Sequence, residues 1–224
     1  MKKNKKKVCI VVPCYKNTIN KYEKISLKHL LKFLGRYDKY FIVPEGLNIK
    51  LRGFGNKSFD KRYFNSVKDY NKLMLSKEFY EAFQSYEYIL TYQLDCLVFS
   101  DQLEYWCDQG YDFIGAPWYK EILPWVKEDS VGNSGFCLRN VQNCLKVLNK
   151  IDAKDIRCND DIFFGLKAKK IFLDFKVAPP EVAVGFSFET APRLCFRRNN
   201  YKLPFGCHAW YRYDKKFWMP YIER

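Results

Sequence analysis

Four places in the sequence bring together side chains able to do chemistry. Asp95 follows the apolar run Tyr88-Ile-Leu-Thr-Tyr92. A carboxylate just past such a run stands at the carboxyl end of a buried strand, where open α/β sheets bind ligands. A hard cation with a diphosphate needs an oxygen ligand there; the same residue could instead cap the next turn. Asp160 and Asp161 form an adjacent acid pair ahead of Ile162-Phe-Phe-Gly165. Negative charge suits a helix N-terminus, and one of the two could also serve as a general base. Gly132-Asn-Ser-Gly-Phe136 lacks the spacing of a dinucleotide fingerprint or a P-loop. Its glycines still let backbone approach a ligand closely, with Asn133 and Ser134 offering hydrogen bonds; it is equally an ordinary turn before a helix. His208, one of only two histidines, lies in Phe205-Gly-Cys-His-Ala-Trp210. A packed, hydrogen-bonded histidine is the commoner outcome for such a site. His29 falls on an apolar helix and reads as part of its surface or core edge.

These groups need elements to hold them. Val8-Cys-Ile-Val-Val12 before Pro13 predicts a buried parallel strand. Residues 18–34 carry apolar positions 19, 22, 25, 27, 30, 31 and 34 and end at Gly35, which predicts an amphipathic helix with a glycine C-cap. Residues 40–43 read as a second strand, so the chain opens β-α-β, the start of a layered α/β domain. One helix is expected over 66–86, a strand over 88–92, a short strand and turn over 113–118, and helices over 140–149 and 159–169. Asp101 is expected to cap the helix after Ser100. The basic aromatic end, from Trp210 onward, is expected to fold most of its rings back on the core.

Composition narrows the class. The 224 residues are 48% hydrophobic and 18% aromatic, which excludes a disordered chain, a collagen-like fibre and a coiled coil. No run of 18 apolar residues exists, and the basic start is followed by only five apolar residues before Pro13, too short for a signal-peptide core. Nine cysteines, an odd number with no Cys-x-x-Cys pair, read as free thiols in a reducing compartment. The expectation is a soluble, cytoplasmic chain. The net charge of +14 favours anionic partners, and five of the lysines fall in residues 1–7, read as a disordered basic tail. Attachment of that tail to an anionic membrane face is the weaker alternative.

Five blocks taken in order resemble the GT-A glycosyltransferases, in particular a bacterial group of uncharacterised-domain proteins linked to surface-polysaccharide synthesis. They are Val8-Cys-Ile-Val-Val-Pro-Cys-Tyr-Lys16, Tyr92-Gln-Leu-Asp-Cys-Leu-Val-Phe99, the stretch from Tyr111 through Trp118 to Gly132-Asn-Ser-Gly-Phe-Cys-Leu-Arg139, Asn159-Asp-Asp-Ile-Phe-Phe164, and Phe205-Gly-Cys-His-Ala-Trp210. The resemblance implies a three-layer α/β/α sandwich with a mixed, mostly parallel central sheet, formed by residues 8–224. Residues 8–99 would be the nucleotide-binding half and 100–224 the acceptor-binding half. Asp95 resembles the metal- and diphosphate-contacting acid of an aspartate-x-aspartate motif, with Leu97 where the second acid would fall. His208 resembles the late histidine that completes the metal site. Asp160 and Asp161 resemble an acid pair whose second member, here Asp161, deprotonates the acceptor. Gly135 and Phe136 would lie against a sugar, and Pro13, Tyr15 and Lys16 near the nucleotide.

The expected function is therefore transfer of a hexose or N-acetylhexosamine from a nucleotide-diphosphate sugar, UDP-linked by expectation, to a glycan or lipid-linked glycan acceptor. In-line attack would invert the anomeric centre, with Mn²⁺ or Mg²⁺ as cofactor. Leu97 motivates a metal-independent variant in which Arg139, Arg193, Arg197 or Arg198 meets the phosphates. A nucleic-acid-binding module is the rival that the charge suggests, but the aromatics lie mostly in apolar runs and no nucleic-acid motif appears, so nucleic acid is not expected as a partner. A scaffold without catalysis is the third reading.

Overall fold

The computed structural model describes residues 5–222. Strand β1 (Lys6–Pro13) buries Val8, Cys9, Ile10, Val11 and Val12 alike, as a strand with water on neither face must. The strand takes in Lys6 and Lys7, so the basic tail expected over 1–7 gives up its last two residues to the sheet. Their amines are neutralised across the edge, Lys6 by Asp38 at 2.7 Å and Lys7 by Asp108 at 2.9 Å. The tail expectation for residues 1–4 lies outside the described residues.

Helix α1 (Lys21–Leu34) starts at Asn20, whose side chain accepts from Tyr22 and Glu23 N–H while Glu23 reaches back to the Asn20 N–H, a complete capping box. It ends at Gly35 in an ordinary right-handed conformation. His29 is fully buried rather than at a surface, its Nδ1 bonded to the Val98 carbonyl at 2.9 Å.

The chain then runs through β2 (Asp38–Pro44), β3 (Phe54–Phe59), α2 (Val67–Met74), α3 (Lys77–Glu81), β4 (Tyr86–Tyr92), β5 (Leu97–Val98), α4 (Leu103–Asp108), β6 (Phe113–Ile114), β7 (Ala116–Trp118), β8 (Ser130–Gly132), β9 (Phe136–Asn140) and α5 (Val141–Asn149). The single helix expected over 66–86 is two helices and a strand start. Ser66 caps α2, and Ser76 restarts the chain as the cap of α3 by accepting from Phe79 N–H, while Tyr86 already pairs in β4. Asp101 is no helix cap; it binds Arg36 and the Tyr37 hydroxyl.

The segment after Asn159 is helical with an interruption: α6 (Asp160–Ile162), a π-turn (Phe163–Lys167) and α7 (Ala168–Ile171). Such wide turns often sit at functional sites. The chain closes with α8 (Pro180–Phe186), β10 (Ser187–Phe188), α9 (Pro192–Arg198), β11 (Gly206–Cys207) and α10 (Lys215–Trp218).

The central sheet has the order β3-β2-β1-β4-β9-β6. β3, β2, β1 and β4 are parallel, and β9 is antiparallel to both neighbours. The mixed, mostly parallel sheet of a layered α/β fold is thus in place. A second sheet, β10-β11-β5, carries its own core of Leu97, Phe188, Cys207, Trp210 and Trp218. The terminal aromatics do fold back: Trp210 donates to Ser26 Oγ at 3.1 Å, and Trp218 stacks on Phe99 at 5.5 Å. Among the described residues no helix is long and apolar enough to cross a membrane.

All nine cysteines are free, and only Cys158 is more than marginally accessible. A thiol reagent added to the native chain should therefore titrate one cysteine quickly and all nine after unfolding; rapid native reaction of several would contradict this packing.

Candidate functional site

A cleft of about 640 Å³ opens where β1 and β4 end and β9 begins. Two backbone facts build it. β9 runs antiparallel to β4 with Tyr92 opposite Phe136, so the turn before β9 lies beside the residues after β4. Gln93 N–H then bonds the Gly135 carbonyl at 2.9 Å. The crevice also falls at the edge of β1 where the strand order reverses, the place where open α/β sheets hold ligands.

One end of the cleft is built by Gln93, Asp95, Glu189 and His208. His208 follows β11, and its ring packs against Gly135, where any Cβ would lie 2.1 Å from it. Its Nδ1 meets Glu189 Oε1 at 2.8 Å, and its Nε2 stands 3.2 Å from Gln93 Oε1 and 3.3 Å from Asp95 Oδ1. Burial alone would lower the imidazole pKa, but the hydrogen bonds and charges of Asp95 and Glu189 outweigh it and push it up to about 10. Burial would likewise raise the Asp95 carboxyl, yet its bond to His208 holds it below the usual range.

The acid pair forms the other end, and its members have different surroundings. Asp160 is buried against Arg139, accepts from Ser134 Oγ at 2.5 Å, and gives its own N–H to Asn71 Oδ1 at 3.0 Å. Asp161 has no basic partner among the described residues and accepts only the Ile162 N–H, at 2.7 Å. Burial first, then the adjacent Asp160 charge, raises its carboxyl to about 6. That is the range of a base working near neutral pH.

Among the described residues two buried polar atoms of this cleft, Asn133 Nδ2 and Tyr70 Oη, have no hydrogen-bond partner, and Asp95 Oδ1 faces only the His208 ring. Asn133 is only 2% exposed and sits at φ 74°, a left-handed conformation that asparagine tolerates better than most residues. Its Oδ1 is committed to the Gly135 N–H at 2.7 Å, which leaves the amide nitrogen facing the cleft as a pure donor. Buried polar groups are nearly always satisfied, so these two donors in one cleft mark a place for an oxygen-bearing ligand.

Of the residues singled out from sequence, Pro13, Tyr15, Lys16, Asp95, Gly135, Asp160, Asp161 and His208 all line the cleft. Phe136 does not. The pleat that turns Gly135 to the cleft sends Phe136 the other way, fully buried against Tyr92, Phe186 and Phe205. None of the four arginines considered for phosphate lies there either. Arg139 is buried beneath the cleft, Arg193 is paired with Asp214, and Arg198 is paired with Glu121 and Asp129. The cleft's arginine is Arg212, which forms no ion pair with a carboxylate among the described residues. Leu97 points into the second core. The polar companion of Asp95 is Gln93, two residues before it rather than after. Glu189, Tyr70 and Arg212 were not singled out from the sequence.

Among the described residues no three His, Cys, Asp or Glu side chains are grouped to hold a metal. Asp95 and His208 lie together, with the Gln93 amide oxygen beside them. A carboxylate on the far ring nitrogen, as Glu189 provides, is the usual support of a ligating histidine. An ion held there would take the place of the His208 Nε2 proton that faces Asp95.

A profile described as "Protein of unknown function (DUF5672)" matches residues 53–208, more than two thirds of the chain, and the chain belongs to that family. No functionally curated protein matches the sequence. Among solved structures the chain is similar to the galactosyltransferase LgtC in complex with donor and acceptor sugar analogues, at 15% identity and a TM-score of 0.55 over 89% of this chain and 86% of that one. It is similar to a glycosyltransferase involved in glycosylation of the major capsid of PBCV-1, at 10% identity and 0.51 over 90% and 92%. A third likeness is to the bifunctional glycosyltransferase WbbM, at 11% identity and 0.52, covering 91% of this chain and 45% of that one. These likenesses establish the GT-A fold.

Replacing Gly135 with alanine must displace the His208 ring, since the added carbon falls 2.1 Å from it. Urea unfolding should show a loss of about 1–3 kcal/mol, and the His208 imidazole resonances should shift; an unperturbed variant would mean the ring is not seated there.

Proposed function

We propose that this chain transfers a hexose or N-acetylhexosamine from a nucleotide-diphosphate sugar to a hydroxyl of a glycan or lipid-linked glycan. The observation that carries the reading is the pair of unpartnered polar atoms in the cleft, Asn133 Nδ2 and Tyr70 Oη, beside an acid with no basic partner among the described residues, Asp161. The turn at 133–135 joins the two ends: Gly135 touches His208 and Ser134 touches Asp160. In this reading Pro13, Tyr15, Lys16 and the segment 93–95 receive the nucleotide diphosphate. The sugar lies over the turn, and the acceptor approaches Asp161 from the half of the chain beyond residue 100.

Asp161 takes the proton of the acceptor hydroxyl as its oxygen bonds to the anomeric carbon, and the bond from that carbon to the diphosphate breaks with its electron pair leaving on phosphate. Attack in line with departure inverts the centre. Arg212, in no ion pair among the described residues, meets the charge that grows on the leaving group; a guanidinium suits phosphate with two parallel donors. Asp95, His208 and Gln93 would hold Mn²⁺ or Mg²⁺, and such an ion supplies further positive charge to the departing diphosphate. A second reading, transfer without metal, is favoured by Arg212 and by the His208 ring being held on both nitrogens by carboxylates.

Calorimetry with UDP, GDP, CDP and ADP, each with Mn²⁺, Mg²⁺ or EDTA, should show binding of one base. Loss of binding in EDTA separates the metal reading from the metal-free one, and no binding at all would refute the transferase. With the donor in hand, Asp161→Asn should lower kcat by about 10²- to 10⁴-fold and leave donor affinity unchanged. The wild-type rate should rise with pH through about 6, because a base must be ionised to accept a proton.

A further inference from the structure

Arg139 has no access to a phosphate, yet every nitrogen of its guanidinium is used. Nε donates to Cys137 Sγ at 3.2 Å, Nη1 to the Tyr80 hydroxyl at 2.9 Å, and Nη2 to Ser134 Oγ at 3.2 Å and to Asp160 Oδ2. Its cation also lies by the rings of Phe113, at 5.5 Å, and Phe164, at 5.1 Å. Arg139 is 0% and Asp160 2% exposed. A pair this dry gives little net stability, and apolar side chains of equal volume often serve as well. What apolar packing cannot supply is direction, and here direction falls on two functional walls. Ser134 stands between Asn133 and Gly135, and Asp160 immediately precedes Asp161.

We propose that Arg139 is a positioning residue: by gripping Ser134 and Asp160 together from beneath the cleft, it aims Asn133 and Asp161 into it and fixes a negative charge beside Asp161. The inference rests on the reading of Asp161 as the base and adds the device that sets it. The charged groups acting on Asp161 are Asp160 on its own helix, Glu189 just past β10, and Arg139 from β9. The two acids raise its carboxyl and Arg139 lowers it, with Asp160 the strongest of the three. Removing the Arg139–Asp160 pair together therefore lowers Asp161.

The test uses the full chain labelled with ¹³C at aspartate carboxyls, the Asp161 signal being assigned by its absence in Asp161→Asn. The wild-type midpoint is expected near 6. In Arg139→Met/Asp160→Asn, which replaces the ion pair with neutral groups of similar size and whose fold is checked by thermal melting, the midpoint should fall below 6, with burial still holding it above the ordinary carboxylate range. Arg139→Lys keeps the charge and loses the fork. It should hold the midpoint near 6 while lowering kcat for hydrolysis of the nucleotide sugar the wild type binds, tried as UDP-glucose and GDP-mannose, by about tenfold to a hundredfold at unchanged KM. An Asp161 midpoint that stays near 6 in the folded double variant, or a lysine variant with wild-type kcat, overturns the proposal. Wild-type kcat in Asp161→Asn would instead overturn the base assignment, and the proposal with it, whatever the titration shows.

Discussion

The reversal of a single strand governs the rest of the structure. Four parallel strands deliver their carboxyl ends to one edge of the sheet, and a fifth parallel strand would have sent its own beginning to the far edge. Because β9 runs antiparallel to β4, the turn that starts it arrives at the same edge, close enough for the Gly135 carbonyl to accept from Gln93. That placement brings a glycine against His208, a serine against Asp160, and a left-handed asparagine just before them. A polar turn meets two acidic stations across one backbone hydrogen bond.

The cleft handles charge in two opposite ways. At one end, carboxylates flank a histidine and reinforce its proton, so buried charges of opposite sign hold one another in place. At the other, the cation is withdrawn below the surface and given to Asp160 alone, which leaves Asp161 partly buried, next to a like charge, with only a backbone N–H for company. Low dielectric strengthens both arrangements. Two adjacent aspartates thus acquire different tasks from their surroundings and not from their chemistry, the general route by which one fold separates structural from reactive carboxylates.

The sheet was legible where its strands are buried on both faces. Val8 to Val12 and Tyr88 to Tyr92 declare themselves by continuous apolar character, and α1 by its spacing and its asparagine cap. Asp95, His208 and the acid pair were legible because rare polar residues stood beside those strands or in glycine-rich turns. Other features depend on partners far along the chain. Leu97 and Gln93 lie equally two residues from Asp95, and only the end of β4 decides which faces the cleft. The resemblance places Phe136 against a sugar, and the pleat turns it away. Arg139 could not be separated from other arginines without knowing that Asp160, twenty-one residues later, lies on it. Arg212 was lost among the cations of a terminal segment, and the Tyr70 hydroxyl among the apolar residues of a helix that proved to be broken.

The burial of the thiols has a kinetic side. Eight of the nine cysteines are enclosed by the finished fold, several within the same core as the cleft, so the native chain offers an oxidant almost nothing to join. An extended chain offers all nine, and an odd number leaves one sulfur unmatched in every pairing. The hazard of oxidation is thereby confined to the interval before collapse. Whatever shortens that interval protects the fold more than any change made to the folded surface.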